Sequence, residues 1–490
     1  MWTIAALYLF LLQSPESEHR RALDLAAAGN VEQAKAILVT EQEKNPGDKR
    51  FPIELAAIGF KAGNYREARR HIHRALRIDP DDVYANDFVA TVYLLQNNTE
   101  AALKYWNRIG RPHIENVQTD PAVPIDPVLW DRSFAFSPAS ILTLEDFRNT
   151  KARLEFLDVL SRARFEFVPA GESFDVVLHP IPRTGGIGTG KLTTVAALAR
   201  GFPYRTVEFD FRNLRSAGLN VSSLLRWDPQ KRLASVRAAG PIQKNPRRRF
   251  DILADGRNEI WDLPQEEFTL RKLRASAGIE SQVNARWSWA SRLNASTRRS
   301  GKLHDRNGTL LTYEADVAYR FFSWPERRLT MDGGASFEFG RRFNRTTSMA
   351  LLQWFPQAAS DDVKATVSFH FGRVGGAVPF DENFTLGLDR DSELLLRGHP
   401  GTRDGRKGEG PIGPKFLLWN IDLQKNVLKQ GLFTVGAGPF VDVAQVAGTT
   451  PRFMDAGVQV HFLLLSSIRL DFSYGRDLRA GRNAFFYRSR

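Results

Sequence analysis

The sequence predicts a multidomain chain that ends in a 16-stranded antiparallel transmembrane β-barrel, with all-α helical repeats and a small α/β module before it. Three patterns lead to this prediction: a 34-residue period near the amino terminus, a strand–helix–strand–strand order after it, and alternation of apolar and polar residues over 205–490. At 490 residues the chain is too long for one compact domain. Mean hydropathy is −0.33. Beyond residue 15 no apolar run reaches the roughly 20 residues that a membrane-spanning helix needs.

Composition excludes several kinds of chemistry. Without cysteine the chain has no disulfide, thiolate nucleophile or cysteine-ligated metal. The nine histidines are scattered and form no metal-ligand motif, so we predict no metal, no cofactor and no catalytic residue. A net charge of +13 makes nucleic-acid binding the first alternative to consider. Because the arginines recur between strand-like runs, we instead predict solvated loops that touch anionic lipid head groups, and no nucleic-acid partner.

The first residues are predicted to be a signal peptide, 1–15. An apolar stretch is followed there by polar residues, and it is too short to span a bilayer. A basic leading region and a clear cleavage site are missing. The first turns of a buried helix are therefore the alternative.

Residues 18–110 carry the 34-residue period. Three kinds of position share it: a turn residue that accepts positive φ, a small alanine that lets helices approach, and a proline that separates repeats. These positions are Gly29, Gly63 and Asn97; Ala34, Ala68 and Ala102; and Pro46 and Pro80. The segment resembles the tetratricopeptide-repeat family, and the resemblance implies a scaffold that binds peptides or partner proteins. A helical spacer without a ligand is the alternative.

The pattern changes over 111–183 and predicts a small α/β module. We expect a strand at 113–117, a helix opened by a capping box at 143–146, and strands at 164–168 and 174–178. This order resembles the POTRA module, the polypeptide-transport-associated domain. The resemblance implies an open sheet edge that recruits an extended substrate by strand addition.

Residues 184–204 are predicted to be a flexible linker. Gly185–Lys191 imitates a phosphate-binding loop, but Leu192 stands where that motif needs a magnesium-binding Ser or Thr. We therefore reject nucleotide binding.

From 205 to 490 about sixteen alternating runs are divided by turn clusters. A soluble β-sandwich also alternates. Similar run lengths, together with aromatic clusters at run ends such as 321–325 and 354–356, favour one closed membrane barrel.

Three motifs follow one another in the barrel region: Phe384–Leu388, Leu395–His399 and Phe440–Ala444. In this order they resemble the outer-membrane assembly superfamily that includes BamA, TamA and the two-partner-secretion transporters. The resemblance implies a lumen loop between the eleventh and twelfth strands, in which Arg397, beside Gly398, pairs with Asp442. Eleven runs precede Arg397 and five follow it. The chain departs from the family at His399, where Tyr or Phe is expected, and at Ala444, where Gly is expected.

The resemblance implies a bacterial outer-membrane protein with a periplasmic amino-terminal part, and not an enzyme. Unfolded outer-membrane or secreted polypeptides would be received by the repeats and the α/β module, with periplasmic partner proteins, and passed to the barrel. The first and last strands would meet at a weak seam that opens to a client strand. A two-partner-secretion pore for one dedicated passenger is the main alternative. A passive porin is another, and a hydrolase would need a Ser/His/acid set that we cannot assemble.

Overall fold

The structure, a computed structural model, describes residues 14–489 except 184–194, 196–200, 202–204, 265, 301–307, 358–359, 391, 431–432, 450–451 and 465–467. Two compact units are distinguished. The repeat unit comprises the described residues of Met1–Asn116, Pro138–Phe147 and Pro169–Asp175, and the barrel unit those of Val117–Ser137, Arg148–Val168 and Val176–Arg490. Most of the α/β module thus shares a unit with the barrel. The predicted signal peptide and linker lie almost wholly outside the described residues.

The repeat unit contains six α-helices: α1 (Pro15–Ala27), α2 (Val31–Lys44), α3 (Arg50–Lys61), α4 (Tyr65–Ile78), α5 (Val83–Leu95) and α6 (Thr99–Trp106). They form three hairpins. Their turns hold Gly29, Gly63 and Asn97 at φ of 84°, 72° and 57°, which is the left-handed conformation that the period predicts. No helix among the described residues has the length and apolar character needed to cross a membrane.

The repeated alanines lie where helices pack most closely. Ala34, Ala68 and Ala102 are fully buried. A Cβ built on Gly59 would lie 3.1 Å from the backbone nitrogen of Ala68, so α3 and α4 pack in near backbone contact. Small residues at these positions are therefore a packing requirement of the helical hairpins.

Replacing Ala68 with leucine should destabilise the helices by about 1–3 kcal/mol, because overpacking forces the helices apart. Thermal unfolding of the full chain, followed at a helical circular-dichroism band, measures the loss. The matched control is Ala62→Leu, at an exposed position close by. Equal melting of the two variants would contradict the close-packing role of Ala68.

The α/β module follows the predicted order: β1 (Ile114–Thr119), a short helix α7 (Pro127–Asp131), α8 (Leu144–Leu157), β2 (Leu160–Ala170) and β3 (Ser173–Pro182). The helix α7 was not predicted. The three strands form a sheet in the order β1–β3–β2. Thr143 caps α8, where its Oγ1 accepts a 3.0 Å hydrogen bond from the backbone nitrogen of Asp146.

Ten long barrel strands come first: β4 (Thr206–Leu214), β5 (Leu219–Trp227), β6 (Lys231–Ile242), β7 (Asn245–Leu263), β8 (Glu266–Gln282), β9 (Trp287–Ser300), β10 (Gly308–Trp324), β11 (Leu329–Gly340), β12 (Phe343–Trp354) and β13 (Val363–Gly376). Short strands follow: β14 (Phe384–Thr385), β15 (Thr402–Arg403), β16 (Arg406–Lys407) and β17 (Ile412–Gly413). Five long strands complete the barrel: β18 (Lys415–Gln430), β19 (Phe433–Val446), β20 (Phe453–Leu464), β21 (Ile468–Asp477) and β22 (Asn483–Ser489).

The ring closes with β22 beside β4. It holds seventeen strands with β15 and β16 and fifteen without them, so the predicted sixteen are not confirmed for the part of the chain that the structure describes. Ten long strands, and not eleven, precede the lumen loop. Alternation of apolar and polar residues overestimates the number of strands here. Phe384–Leu388 alternates like a strand, but only Phe384–Thr385 forms one.

The barrel wall turns its apolar side outward. On β18, Trp419 and Ile421 are 45% and 46% exposed, whereas Asn420 between them is 7% exposed. The same alternation places Asp442 of β19 inside and Val441 outside. An apolar exterior around a polar interior is the arrangement of a transmembrane barrel.

Four barrel hairpins bond to the α/β module within the barrel unit. The contacts join Asp126 N to Ser216 O (2.6 Å), Lys244 Nζ to Asp126 Oδ2 (2.8 Å), Ala285 N to Asn149 Oδ1 (2.7 Å) and Arg148 Nη2 to Ser323 Oγ (3.0 Å). The Lys244 ammonium holds the pKa of Asp126 below its ordinary value. The four hairpins that contact the module follow β4, β6, β8 and β10. Because successive strands run in opposite directions, β13 ends at the other end of the barrel, and the chain leaves it there.

Candidate functional site in the barrel lumen

The segment 377–414 joins β13 to β18, and we call it the lumen loop. Its two ends are tied together, because β14 pairs with β17 at Phe384–Gly413 and Thr385–Ile412. Its tip is Arg397–Gly398–His399. Since the side chains that contact it point inward from the wall, the loop folds into the barrel.

The structure brings Arg397 and Asp442 together. The Arg397 guanidinium donates from Nε to Asp442 Oδ2 (2.9 Å) and from Nη2 to Oδ1 (2.5 Å). The backbone nitrogen of Arg397 also donates to Oδ2 (2.8 Å). Asp442 has no exposed surface. Two parallel charge-assisted bonds plus a backbone bond fix both the position and the orientation of the loop tip.

The rest of the guanidinium is also occupied. Its Nη1 donates to Asp422 Oδ1 (2.5 Å) and to Gln459 Oε1 (3.0 Å). The Phe440 ring lies 3.8 Å from the Arg397 Cζ atom, within cation–π range. Strands β18, β19 and β20 thus all contact one arginine.

Gly398 and His399 dock against the next two strands. The Gly398 nitrogen donates to Asp455 Oδ2 (2.5 Å), and a Cβ at Gly398 would lie 2.6 Å from the backbone nitrogen of Asp477. His399 places Nδ1 3.1 Å from Asp455 Oδ1 and Nε2 3.3 Å from Asp477 Oδ2. The ring of His399 is thus held between two buried carboxylates, with a hydrogen bond between Nδ1 and Asp455 Oδ2 (3.1 Å).

His399, Asp455 and Asp477 also form a group whose ligand atoms lie within 4.8 Å of one another, the spacing that a metal site requires. The two ring nitrogens, however, face different carboxylates. Because a histidine ligates one ion through one nitrogen, this geometry places the ring between two carboxylates and does not form one ligand set around a single ion. We derive no metal chemistry from it.

A second anchor holds the base of the loop on the opposite arc of the wall. Asp381 and Glu382, in a short 3-10 turn, receive Lys272 Nζ at 2.9 Å and 2.7 Å. Arg298 of β9 bonds both carboxylates, and Arg345 of β12 lies 3.5 Å from Glu382. Counted around the ring, β8 stands about opposite β20. The loop therefore crosses the lumen.

A third contact links the β15–β16 hairpin of the loop to β7. Lys407 Nζ lies 3.3 Å from Glu259 Oε1, which also faces Lys231 Nζ at 3.2 Å. Lys407 pairs with Trp261 in the only parallel register recorded for the barrel strands among the described residues. This hairpin extends the wall ladder into the lumen.

Apolar packing completes the loop's hold on the wall. Phe384, Leu386 and Leu396 are buried against wall residues that include Phe416 and Leu418. A Cβ on Gly372 of β13 would overlap the Phe384 and Phe416 rings, so that glycine makes room for the loop. The motif 384–388 therefore serves as a hydrophobic anchor beside the polar one.

Sequence reasoning named Arg397, Gly398 and Asp442; the structure brings Arg397 into contact with Asp442 and places Gly398 against Asp455. It missed Asp422, Gln459, Asp455, Asp477 and the whole second anchor. The signal for the aspartates was present, because they occupy inward positions of alternating strands near the carboxyl terminus. The six repeat positions lie in the repeat unit and take no part in the lumen site.

A closed barrel with an apolar exterior and a latched lumen loop defines a class: a transmembrane-type barrel whose lumen is crossed by its own chain. Neither the protein-family models nor the curated proteins give a match. Among solved structures, CdiB from Escherichia coli is 12% identical, with 78% of this chain and 76% of that chain covered and a TM-score of 0.53. This similarity shows a shared fold.

Two further structures resemble the chain more loosely. CdiB from Acinetobacter baumannii is 13% identical over 76% of this chain and 73% of that chain, with a TM-score of 0.48. BamA from Haemophilus ducreyi lacking POTRA domains 1-3 is 10% identical over 77% of this chain and 84% of that chain, with a TM-score of 0.45.

Proposed function

We propose that this protein inserts polypeptides into the bacterial outer membrane or translocates them across it, without covalent chemistry. In this proposal the amino-terminal part lies in the periplasm, and its repeats and POTRA-like module receive unfolded clients. The observation that carries it is the lumen loop, which crosses the barrel and is anchored on opposite arcs. The shared fold with CdiB from Escherichia coli supports the same function.

The polar anchors of the loop are of a kind that can be exchanged. Their ion pairs and hydrogen bonds to the wall can be replaced by water or by polar client groups, whereas the hydrophobic anchor at Phe384–Leu388 stays packed against the wall. The module contacts the end of the barrel opposite to the loop's entry. A client delivered by the module therefore meets the loop inside the lumen.

Insertion uses the seam in the proposed mechanism. The closing strands β22 and β4 have only seven and nine residues, against nineteen in β7. Strands this short form few hydrogen bonds, which favours opening of this edge to a client strand.

The second candidate is a two-partner-secretion pore that exports one dedicated passenger. The latched loop favours it over a passive porin, because a porin for small solutes has no need of a plug anchored at two sides. In a secretion pore the passenger displaces the loop and the seam stays closed. Passage of a soluble passenger without insertion of a client barrel would identify this case.

Locking the loop should block polypeptide passage. Because the chain has no cysteine, Trp261→Cys with Lys407→Cys would create one disulfide between register partners. In proteoliposomes we expect the oxidised protein to lose client passage or insertion, and reduction to restore it. The reduced double variant is the baseline for any damage from the substitutions.

The matched control is Ser336→Cys with Thr347→Cys, register partners on β11 and β12 that form no bond to the described residues of the loop. Its oxidation should leave transport unchanged. Equal transport by the oxidised and reduced loop-locked protein would refute loop displacement. Free passage of small solutes with no polypeptide transport would refute the proposed function.

A further inference from the structure

The helix α4 of the repeat unit carries an unusual concentration of positive charge. Five of its fourteen residues are arginines, and Glu67 is its single acidic residue. The arginines are Arg66, Arg69, Arg70, Arg74 and Arg77. Glu67 faces Lys35 at 3.6 Å and His71 at 4.0 Å, so it compensates none of them.

None of these five arginines forms an ion pair with a carboxylate within the residues that the structure describes. Other cations of the same unit do. Lys49 lies between Asp79 and Asp82, Arg50 beside Glu16 and Asp48, and Lys44 beside Glu41. What distinguishes α4 is that five arginines without a carboxylate partner lie on one helix of fourteen residues.

The spacing of the arginines concentrates the charge on one side of α4. Arg66, Arg70, Arg74 and Arg77 are separated by four, four and three residues, so they form one stripe, the arginine face. Like charges at this spacing cost about 0.2–0.5 kcal/mol for each pair. The arginine face thus destabilises the helix that carries it, and an anionic ligand would relieve the repulsion.

The field of the arginine face is felt by a neighbouring histidine. The pKa of His71 lies below its ordinary value, first because the ring is partly buried, and next because of the charge of Arg70. Arg74 and Lys35 act in the same direction, and Glu67 opposes them. The charged neighbours that favour the neutral ring thus include two arginines of the arginine face.

A stacked aromatic pair extends the charged region. The rings of Tyr93 and Tyr105 lie 5.8 Å apart with 8° between their planes. Arg69 Cζ lies 5.2 Å from the Tyr93 ring and Arg108 Cζ 5.0 Å from the Tyr105 ring. Arg69 Nε is buried without a hydrogen-bond partner among the described atoms. A guanidinium held over a ring keeps its donor edge available for a planar acceptor.

We propose that the arginine face, together with Arg69 and Arg108, binds an acidic segment of a polypeptide. Guanidinium groups bond carboxylates through two parallel donors, and the stripe presents several in a row to an extended chain. A membrane surface fits less well. Helices that bind bilayers add exposed apolar side chains for insertion, and α4 exposes no large one.

The test uses the full chain in detergent micelles and a fluorescein-labelled peptide of alternating Asp and Gly. Anisotropy at low salt should show binding that weakens as salt is added, and an Asn-Gly peptide of the same length should not bind. The variant Arg66→Gln, Arg70→Gln, Arg77→Gln should lose about tenfold or more in affinity, because each guanidinium bond to carboxylate is lost.

The matched control is Arg20→Gln, Arg21→Gln, Lys61→Gln, which removes three exposed cations elsewhere in the repeat unit. It should bind nearly as the parent does. Arg108 lies outside α4, and Arg108→Gln should also weaken binding. Such a loss cannot come from misfolding of α4, so it separates lost contacts from lost structure. Equal binding by the arginine-face variant and the control would overturn the proposal. An arginine-face variant that still binds the peptide but no longer binds phosphatidylglycerol vesicles would also overturn it, because the face would then bind lipid and not polypeptide.

Discussion

Arg397→Ala should open the lumen, seen as a large rise in single-channel conductance across a planar bilayer. The substitution leaves Asp442 fully buried without its cation, which typically costs about 3–5 kcal/mol. That loss exceeds the contribution of about 0.5–1.5 kcal/mol that each remaining hydrogen bond of the tip makes. We therefore expect the loop tip to leave the wall.

A double-mutant cycle tests the pairing itself. Asp442→Ala should raise the conductance as Arg397→Ala does, and the double variant should be little worse than either, because one interaction is removed in all three. The control Arg320→Ala removes a partly exposed pair with Asp332 (2.7 Å) on β10 and β11, where we expect little change. Additive effects of Arg397→Ala and Asp442→Ala would show that the two residues act separately.

Gly475→Ala should displace the loop without touching any charge. A Cβ at Gly475 would lie 2.2 Å from the carbonyl oxygen of Arg397, a contact with backbone that no rotamer change relieves. We expect the loop tip to be excluded from its site and the conductance to rise to the level of Arg397→Ala. Protease cleavage of the loop in the folded barrel should accelerate in parallel.

Gly334→Ala is the control for this steric test. Gly334 is also a wall glycine, but a Cβ there would lie 3.3 Å from the Val317 oxygen, which a small adjustment accommodates. It should leave conductance and cleavage unchanged. If Gly475→Ala behaves like Gly334→Ala, the loop tip is not docked as the structure shows.

The parts that could be predicted are those written locally in the chain. The turn residues Gly29, Gly63 and Asn97 indicate the 34-residue period because each helical hairpin needs a residue with positive φ in its turn. The alternation of apolar and polar residues over β18–β22 indicates five strands, because side chains of a strand point alternately to the two faces of the sheet. The Arg397–Asp442 contact is nonlocal, and only the order of three motifs pointed to it.

The second anchor could not be predicted because nothing local marks it. Lys272 and Asp381 are 109 residues apart, and each looks like an ordinary charged residue in its own segment. Their meeting depends on the number of strands between them and on the depth to which the loop enters. An error of one strand in the count, as with ten strands observed against eleven predicted, places the loop base on the wrong arc.

Because the loop is fastened to opposite arcs, it acts as a cross-brace as well as a plug. Its length sets the distance between β8 and β20, so the cross-section of the barrel is held at the value that the ion pairs require. If the proposed function holds, a polypeptide that displaced the loop would remove the brace in the same event. In the insertion mode of the proposal, one displacement would then both empty the lumen and leave the short strands at the seam without this support.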